Sequence, residues 1–320
     1  MLIDGFGRKI DYLRISLTDK CNLRCRYCVP QCGVDKLEHG KILSFEEIVR
    51  IADVLVSLGI TKIRFTGGEP LVRRDAVSVI RDVASLRPDL SVGLTTNGIL
   101  LKEYLPDLNK AGVRNINISI DTLNEKRYES ICGINSLARV LDSASSCIDM
   151  GMRLKINTVP VKGLNDCDIP DLASLAADED IVVRFIELMP VGCGASLEGI
   201  PNDQVKDILT AVYGEAVPVE RKEHQGPAEY VNFKGFRGKV GFISPMSHAF
   251  CSRCDRIRLT CEGKLKLCLA SPDCLDLREL LRSGASDEDL ADAIREALMR
   301  KPRDHGYRFT DHRDMIEIGG

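Results

Sequence analysis

The sequence predicts an α/β fold: an incomplete (βα)6 three-quarter barrel of the TIM type, with a C-terminal extension. Three observations carry this expectation. Six short apolar runs recur at 13–17, 63–66, 92–95, 116–120, 154–159 and 182–188. Segments with helical spacing lie between most of them, and strands alternating with helices build βαβ units on a parallel sheet. Beyond Gly192 the alternation stops. Six units are too few to close an eight-stranded barrel.

The helix expected over 44–58 has Ser44 at its N-cap, Glu47 three residues on and Gly59 at its end, the pattern of a capping box with a glycine stop. After the sixth run a helix is expected over 202–212, strands near 216–220, 230–233 and 239–243, and helices over 275–282 and 287–299. Residues 301–320 read as irregular. The expected division is 1–190 for the partial barrel and 191–320 for a C-terminal region that closes its mouth.

The 320 residues are 44% hydrophobic and 28% charged, enough to build the core of one large α/β domain with an appendage. A net charge of −3 gives no global reason to expect a nucleic-acid partner. No apolar run reaches the roughly 18 residues of a membrane span, and the first residues lack the basic-then-apolar pattern of a secretory signal. A cytoplasmic protein without a membrane partner is expected. Thirteen cysteines, odd in number, suit a disulfide framework poorly and metal binding in a reducing compartment well. Cys21, Cys25, Cys28 and Cys32 cluster near the N-terminus, and Cys251, Cys254, Cys261, Cys268 and Cys274 near the C-terminus. The scattered Cys132, Cys147, Cys167 and Cys193 read as small buried hydrophobes.

Arg14, Arg64, Lys155 and Arg184 each interrupt an apolar run. Side chains alternate across a strand, so these cations share a face. With helices over the other face, theirs is the lumen. Four cations in one lumen repel one another and are costly to bury unpaired. An anionic ligand at the strand C-terminal ends would offset both costs. The alternatives are exposed edge strands or pairing with buried acids.

Cys21-x3-Cys25-x2-Cys28 directly follows the first strand. Three thiolates hold three irons of a 4Fe-4S cluster and leave the fourth open. The alternative is structural zinc, with Cys32 as the fourth ligand. This triplet, with Tyr27 before its third cysteine, resembles the signature of the radical S-adenosylmethionine superfamily. Thr66-Gly67-Gly68-Glu69-Pro70, ending the second strand, resembles that superfamily's motif for the methionine end of the cofactor. Glycines there let the backbone approach a zwitterionic amino acid.

In the C-terminal group, Cys251-x2-Cys254 is clear, but spacing leaves the third ligand open among Cys261, Cys268 and Cys274. It also leaves iron–sulfur and zinc equally open. The segment 251–259, with Arg256 and Arg258 after the second cysteine, is similar to the C-terminal cluster motif of the GTP 3′,8-cyclase family of molybdenum cofactor biosynthesis. The similarity runs over essentially the whole chain, including the blocks at 11–16, 93–98, 116–121 and 184–187 and the terminal Gly319-Gly320. It implies two 4Fe-4S clusters, on Cys21, Cys25 and Cys28 and on Cys251, Cys254 and Cys268. It implies S-adenosylmethionine contacts from Tyr27, Gly68, Ser119 and Met189, and GTP contacts from Arg14, Arg64, Thr95, Lys155, Arg256 and Arg258. Arg184 resembles a basic substrate-pocket position. The implied activity is radical cyclisation of GTP, the first step of the pathway. The implied partners are an external electron donor and a downstream enzyme of molybdopterin synthesis. Whether the chain forms a homo-oligomer is left open. Two rivals stand beside this reading: a peptide-maturing radical enzyme, and a zinc-ribbon binding protein without catalysis.

Overall fold

The computed structural model describes residues 1–30, 33, 37–220, 226–306 and 313–319. Cys32 and Gly320 lie outside the described residues.

A two-stranded N-terminal hairpin, β1 (Leu2–Ile3) and β2 (Lys9–Ile10), precedes the main sheet. Six parallel strands follow: β3 (Tyr12–Ser16), β4 (Lys62–Thr66), β5 (Ser91–Thr96), β6 (Asn115–Ser119), β7 (Arg153–Thr158) and β8 (Val182–Ile186). They coincide with the six predicted runs, and the helices between them are α1 (Phe45–Ser57), α2 (Ala76–Ala84), α3 (Leu101–Lys110), α4 (Glu125–Cys132), α5 (Leu137–Asp149) and α6 (Ile169–Asp178). The start of α1 is the predicted capping box, with Ser44 and Glu47 bonding reciprocally.

The C-terminal region adds three strands to each edge. On one side α7 (Asn202–Tyr213) leads into β9 (Ala216–Val219), β10 (Glu229–Phe233) and β11 (Lys239–Ile243), and β11 pairs parallel with β8. On the other side β12 (Arg256–Leu259) pairs parallel with β3, and β13 (Lys264–Lys266) and β14 (Cys274–Asp276) complete an antiparallel extension. The order is β14-β13-β12-β3-β4-β5-β6-β7-β8-β11-β10-β9. The two ends of this sheet do not pair with each other, so the barrel is open. The chain closes with α8 (Leu277–Arg282), α9 (Asp287–Met299) and α10 (Met315–Ile318).

Three expectations are corrected. Residues 275–282 are not one helix: they begin as β14, because residues 274–276 complete the β13 ladder before Asp276 caps α8. The 301–320 tail carries α10, opened by a capping box of Asp314 and Glu317. The short strands β12 to β14 were not foreseen: each has only three or four residues and so little alternation to read, and β12 pairs with β3 far away in sequence.

Within each barrel strand the two faces differ sharply. Leu13, Ile15, Ile63, Phe65, Val92, Leu94, Ile116, Ile118, Leu154, Ile156, Val183 and Phe185 are all buried in the helix-side core. Alternate positions carry Tyr12, Arg14, Lys62, Arg64, Asn117, Lys155, Asn157 and Arg184, which line one cavity. Parallel strands usually bury both faces in apolar side chains. A polar inner face on such a sheet needs a polar occupant.

Candidate active site

The cavity at the C-terminal ends of the strands has about 1650 Å³ of space free of protein atoms, its open mouth included. It brings together Cys21, Cys25 and Cys28, Tyr27, Gly68, Ser119 and Met189, and Arg14, Arg64, Thr95, Lys155, Arg184, Arg256 and Arg258. Every residue that the sequence assigned to the first cluster, the cofactor or the nucleotide therefore lines one space.

Strand register explains the cationic wall. Arg258 of β12 sits opposite Arg14 of β3, which sits opposite Arg64 of β4 and then Gly93 of β5. One layer below, Arg256 faces Tyr12, which faces Lys62. Around the wall Lys155 neighbours Asn117, and Arg184 neighbours Asn157. Gly93 is there to make room: a Cβ would lie 2.8 Å from an Arg64 guanidinium nitrogen. That guanidinium donates to the Leu94 carbonyl at 2.9 Å and to the Tyr12 hydroxyl at 3.1 Å. Arg184 donates to Asn157 Oδ1 at 2.9 and 2.5 Å. Arg256 has Asp255 at 3.4 Å and the Phe250 ring at 5.0 Å.

Most of these positions are held by neutral groups, so the cations act strongly on one another. Burial, followed by the charges of Arg184, Arg64 and Lys62, brings Lys155 down to about 7. Burial, with Arg256 and Arg64 alongside, lowers Arg14 to about 10. Burial would raise the Tyr12 phenol, but Arg64, Arg14, Lys62 and Arg256 together outweigh it and bring it down to about 7. Buried polar atoms also lack hydrogen-bond partners: Thr66 Oγ1 and Asn117 Oδ1 have none. An anionic, hydrogen-bonding occupant would answer both features.

The first cysteine loop is built by backbone bonds. The amides of Arg24 and Arg26 donate to the carbonyls of Cys132 and Ile131 at the end of α4, and the Cys28 amide donates to the Cys25 carbonyl. Burial pushes Cys21 up to about 11 and Cys28 up to about 12. The Gly67-Gly68 turn rests on this loop. A Cβ on Gly68 would lie 2.4 Å from the Lys20 carbonyl oxygen, and the Gly68 and Glu69 amides donate to the carbonyls of Thr18 and Lys20. The buried Glu69 carboxylate accepts from Thr96 Oγ1 and the Asn97 amide, which ties this turn to the end of β5. The Tyr27 hydroxyl donates to Asp121 at 2.5 Å. Three cysteine thiols beside a glycine cradle are the donor set that a 4Fe-4S cluster with one exchangeable iron requires.

Cys251, Cys254 and Cys268 form a second group beside Arg256 and Arg258. Cys251 feels the charges of both Cys254 and Cys268. The β12–β13 hairpin places the three candidate cysteines differently. Arg258 pairs with Lys266, and Cys268 follows two residues beyond that pair, at the open end of the hairpin. Cys261 lies at the far turn, buried beside Arg73 and Asp19. Cys274 is exposed on β14. Here too the donor set, three thiols with adjacent cations, fits a cluster.

The tail reaches this centre. Arg258 donates to the Gly319 carbonyl at 3.0 Å, and a Cβ on Gly319 would lie 2.6 Å from Ser16 Cβ. Among the scattered cysteines, Cys132 and Cys147 are buried as expected. Cys167 is exposed and Cys193 half-buried, because they sit in 3₁₀ turns outside the core. Cys132 Sγ also lies 3.8 Å from Cys25 Sγ. Sequence reasoning missed Tyr12, Lys62, Asn117 and Asn157. Tyr12 and Lys62 were within reach: each stands two residues before a predicted lumen cation, on the same strand face.

Fold and cavity together define a radical S-adenosylmethionine enzyme. The family model described as the Radical SAM superfamily matches residues 15–176. The solved structure of Streptococcus suis SuiB bound to S-adenosylmethionine superposes with a TM-score of 0.64 at 17% identity, covering 90% of this chain and 68% of that one, a likeness of fold. A second family model, Molybdenum Cofactor Synthesis C, matches residues 181–307. The chain is 42% identical to the GTP 3′,8-cyclase of Clostridium perfringens strain 13, over 99% of both chains. It is 43% identical to that of Peptoclostridium acidaminophilum, over 100% of this chain and 98% of the relative. Molybdenum cofactor biosynthesis protein 1 of Dictyostelium discoideum is 40% identical over all of this chain and 52% of its own length. The chain belongs to the GTP 3′,8-cyclase family.

Proposed function

We propose that this enzyme converts GTP to 3′,8-cyclo-7,8-dihydro-GTP, the first step of molybdenum cofactor biosynthesis. Full-length similarity to GTP 3′,8-cyclases carries the activity, and the cation-lined lumen is the observation that carries the substrate class. In this reading Cys21, Cys25 and Cys28 hold one 4Fe-4S cluster, and Cys251, Cys254 and Cys268 a second. Tyr27, Gly68, Ser119 and Met189 receive S-adenosylmethionine. When bound, the first cluster and S-adenosylmethionine supply a carbon-centred radical able to remove a hydrogen atom from the ribose C3′ of GTP.

The chain's own work is orientation and exclusion. Arg14, Arg64, Lys155, Arg256 and Arg258 hold the triphosphate, the arginines through paired donors. Arg184 and Thr95 fix the nucleoside beside them. Pinning the anionic end leaves the ribose one place to sit, which brings C3′ close to the reacting centre. The C-terminal region, 191–320, covers the mouth of the 1–190 barrel and keeps water from the sugar radical. C3′ then bonds to C8 of the same guanine. Loss of the C3′ hydrogen atom is balanced by one electron and one proton, so the product is an isomer of GTP. The electron comes from an external donor, and a downstream enzyme of the pathway takes the product. Among the described residues, no helix is long and apolar enough to cross a membrane.

The test is anaerobic incubation of the reconstituted protein with S-adenosylmethionine, a one-electron reductant and GTP. A product of unchanged mass with a C3′–C8 bond by NMR is expected. Cleavage of S-adenosylmethionine that leaves GTP intact would overturn the reading.

A further inference from the structure

Lys301 is 2% exposed and follows the end of α9. Its ammonium donates to the Arg256 carbonyl at 2.9 Å and to the Leu267 carbonyl. Arg256 stands two residues after Cys254, and Leu267 immediately precedes Cys268. One buried cation therefore joins the two chain segments that bring Cys254 and Cys268 together. The next two residues reach the third cysteine. Arg8 donates to the carbonyls of Pro302 at 2.6 Å, Arg303 at 2.8 Å and Cys251 at 2.8 Å, and is itself paired with Asp4 at 2.5 Å. The 301–303 segment is thus tied through Lys301 to the segments that carry Cys254 and Cys268, and through Arg8 to Cys251.

Carbonyl oxygens alone could be bonded by a neutral donor. A full charge buried against two neutral acceptors is costly unless an anion lies near. A 4Fe-4S core on three thiolates is such an anion, and it becomes more negative on taking up an electron. We propose that Lys301 is a positioning residue and charge complement for the second iron–sulfur cluster. It sets the spacing of the Cys254 and Cys268 segments, and its charge favours the reduced cluster, which raises the cluster's reduction potential. The inference rests on the reading that Cys251, Cys254 and Cys268 bind a cluster.

The experiment separates the two. Iron is first counted in the reconstituted wild-type protein. About eight irons per chain, four for each cluster, sustain the two-cluster reading; about four overturn both the reading and this proposal. Redox titration monitored by electron paramagnetic resonance is then run on Lys301→Gln, which keeps donors for the carbonyls without the charge, and on Lys301→Met, which keeps neither. The Gln variant should retain its iron and titrate at a lower potential, with several-fold less reduced second cluster at the wild-type midpoint. The Met variant should lose about half its iron while its first cluster still binds S-adenosylmethionine. If both variants lose the second cluster, Lys301→Arg decides: retention of iron and of the wild-type potential supports the charge, and retention with the potential lowered overturns it, as does loss of the cluster there too. A Gln variant that keeps its iron and titrates like wild type overturns the proposal, whatever the Met variant retains.

Discussion

Cys21, Cys25 and Cys28 occupy one loop after β3, whereas Cys251, Cys254 and Cys268 come from two segments at the open end of the β12–β13 hairpin. The first loop is shaped by its own backbone bonds and by the end of α4. The second group depends on side chains from distant parts of the chain: Arg8 near the N-terminus and Lys301 near the C-terminus. A ligand set built from one loop can be read from spacing. A set assembled by a hairpin needs tertiary structure before its third member is known. In the proposed function the contrast also separates two tasks, radical generation at one end of the lumen and substrate capture at the other.

The largest effect should come from dismantling each group in turn. Cys21→Ala should remove about four irons and abolish cleavage of S-adenosylmethionine. Cys251→Ala should also remove about four irons but leave that cleavage running without cyclisation. Iron analysis beside product analysis of both variants checks this. Equal loss of cofactor cleavage in the two would erase the division of labour.

Next in size is Arg258→Ala. This residue stands opposite Arg14 and holds the Gly319 carbonyl. Losing one charge-assisted contact should weaken GTP binding about 10- to 100-fold, with both clusters intact, as read by calorimetry on the reconstituted protein. A smaller effect is expected from pH. Lys155 sits near 7 because it is buried among Arg184, Arg64 and Lys62. Above that pH it is neutral in the nucleotide-free protein and must gain a proton when the triphosphate arrives. GTP affinity should therefore fall as pH rises through 7, by at most about tenfold per unit, and Lys155→Met should flatten that part of the profile. The smallest effect belongs to Cys261→Ser and Cys274→Ser. One lies at the far turn of the hairpin and the other is exposed, so iron content should not change. A loss of about four irons in either would reassign the third ligand.

The barrel was legible because its strands announce themselves locally, with apolar residues toward the helices and, on four of the six, a cation at the alternate position. Arg14, Arg64, Lys155 and Arg184 could be placed in one lumen from parity alone. Spacing could not choose between Cys268, Cys261 and Cys274; what favours Cys268 is tertiary, the β12–β13 hairpin that leaves Cys261 at its turn and Cys268 beyond its open end. The pairing of β12 with β3 was equally hidden, since a four-residue strand carries little pattern and its partner lies more than two hundred positions earlier in the chain. Tyr12 and Lys62 went unnoticed for a different reason. They stand at the beginning of their strands, where an aromatic ring and a lysine read as ordinary boundary residues.

The central claim is that the lumen holds GTP with its ribose C3′ at the radical-generating end. Its most direct test is GTP carrying deuterium at C3′, incubated anaerobically with S-adenosylmethionine and the reconstituted protein. Deuterium should appear in the 5′-deoxyadenosine formed, in step with the cyclised nucleotide. Unlabelled 5′-deoxyadenosine alongside cyclised product would contradict the account.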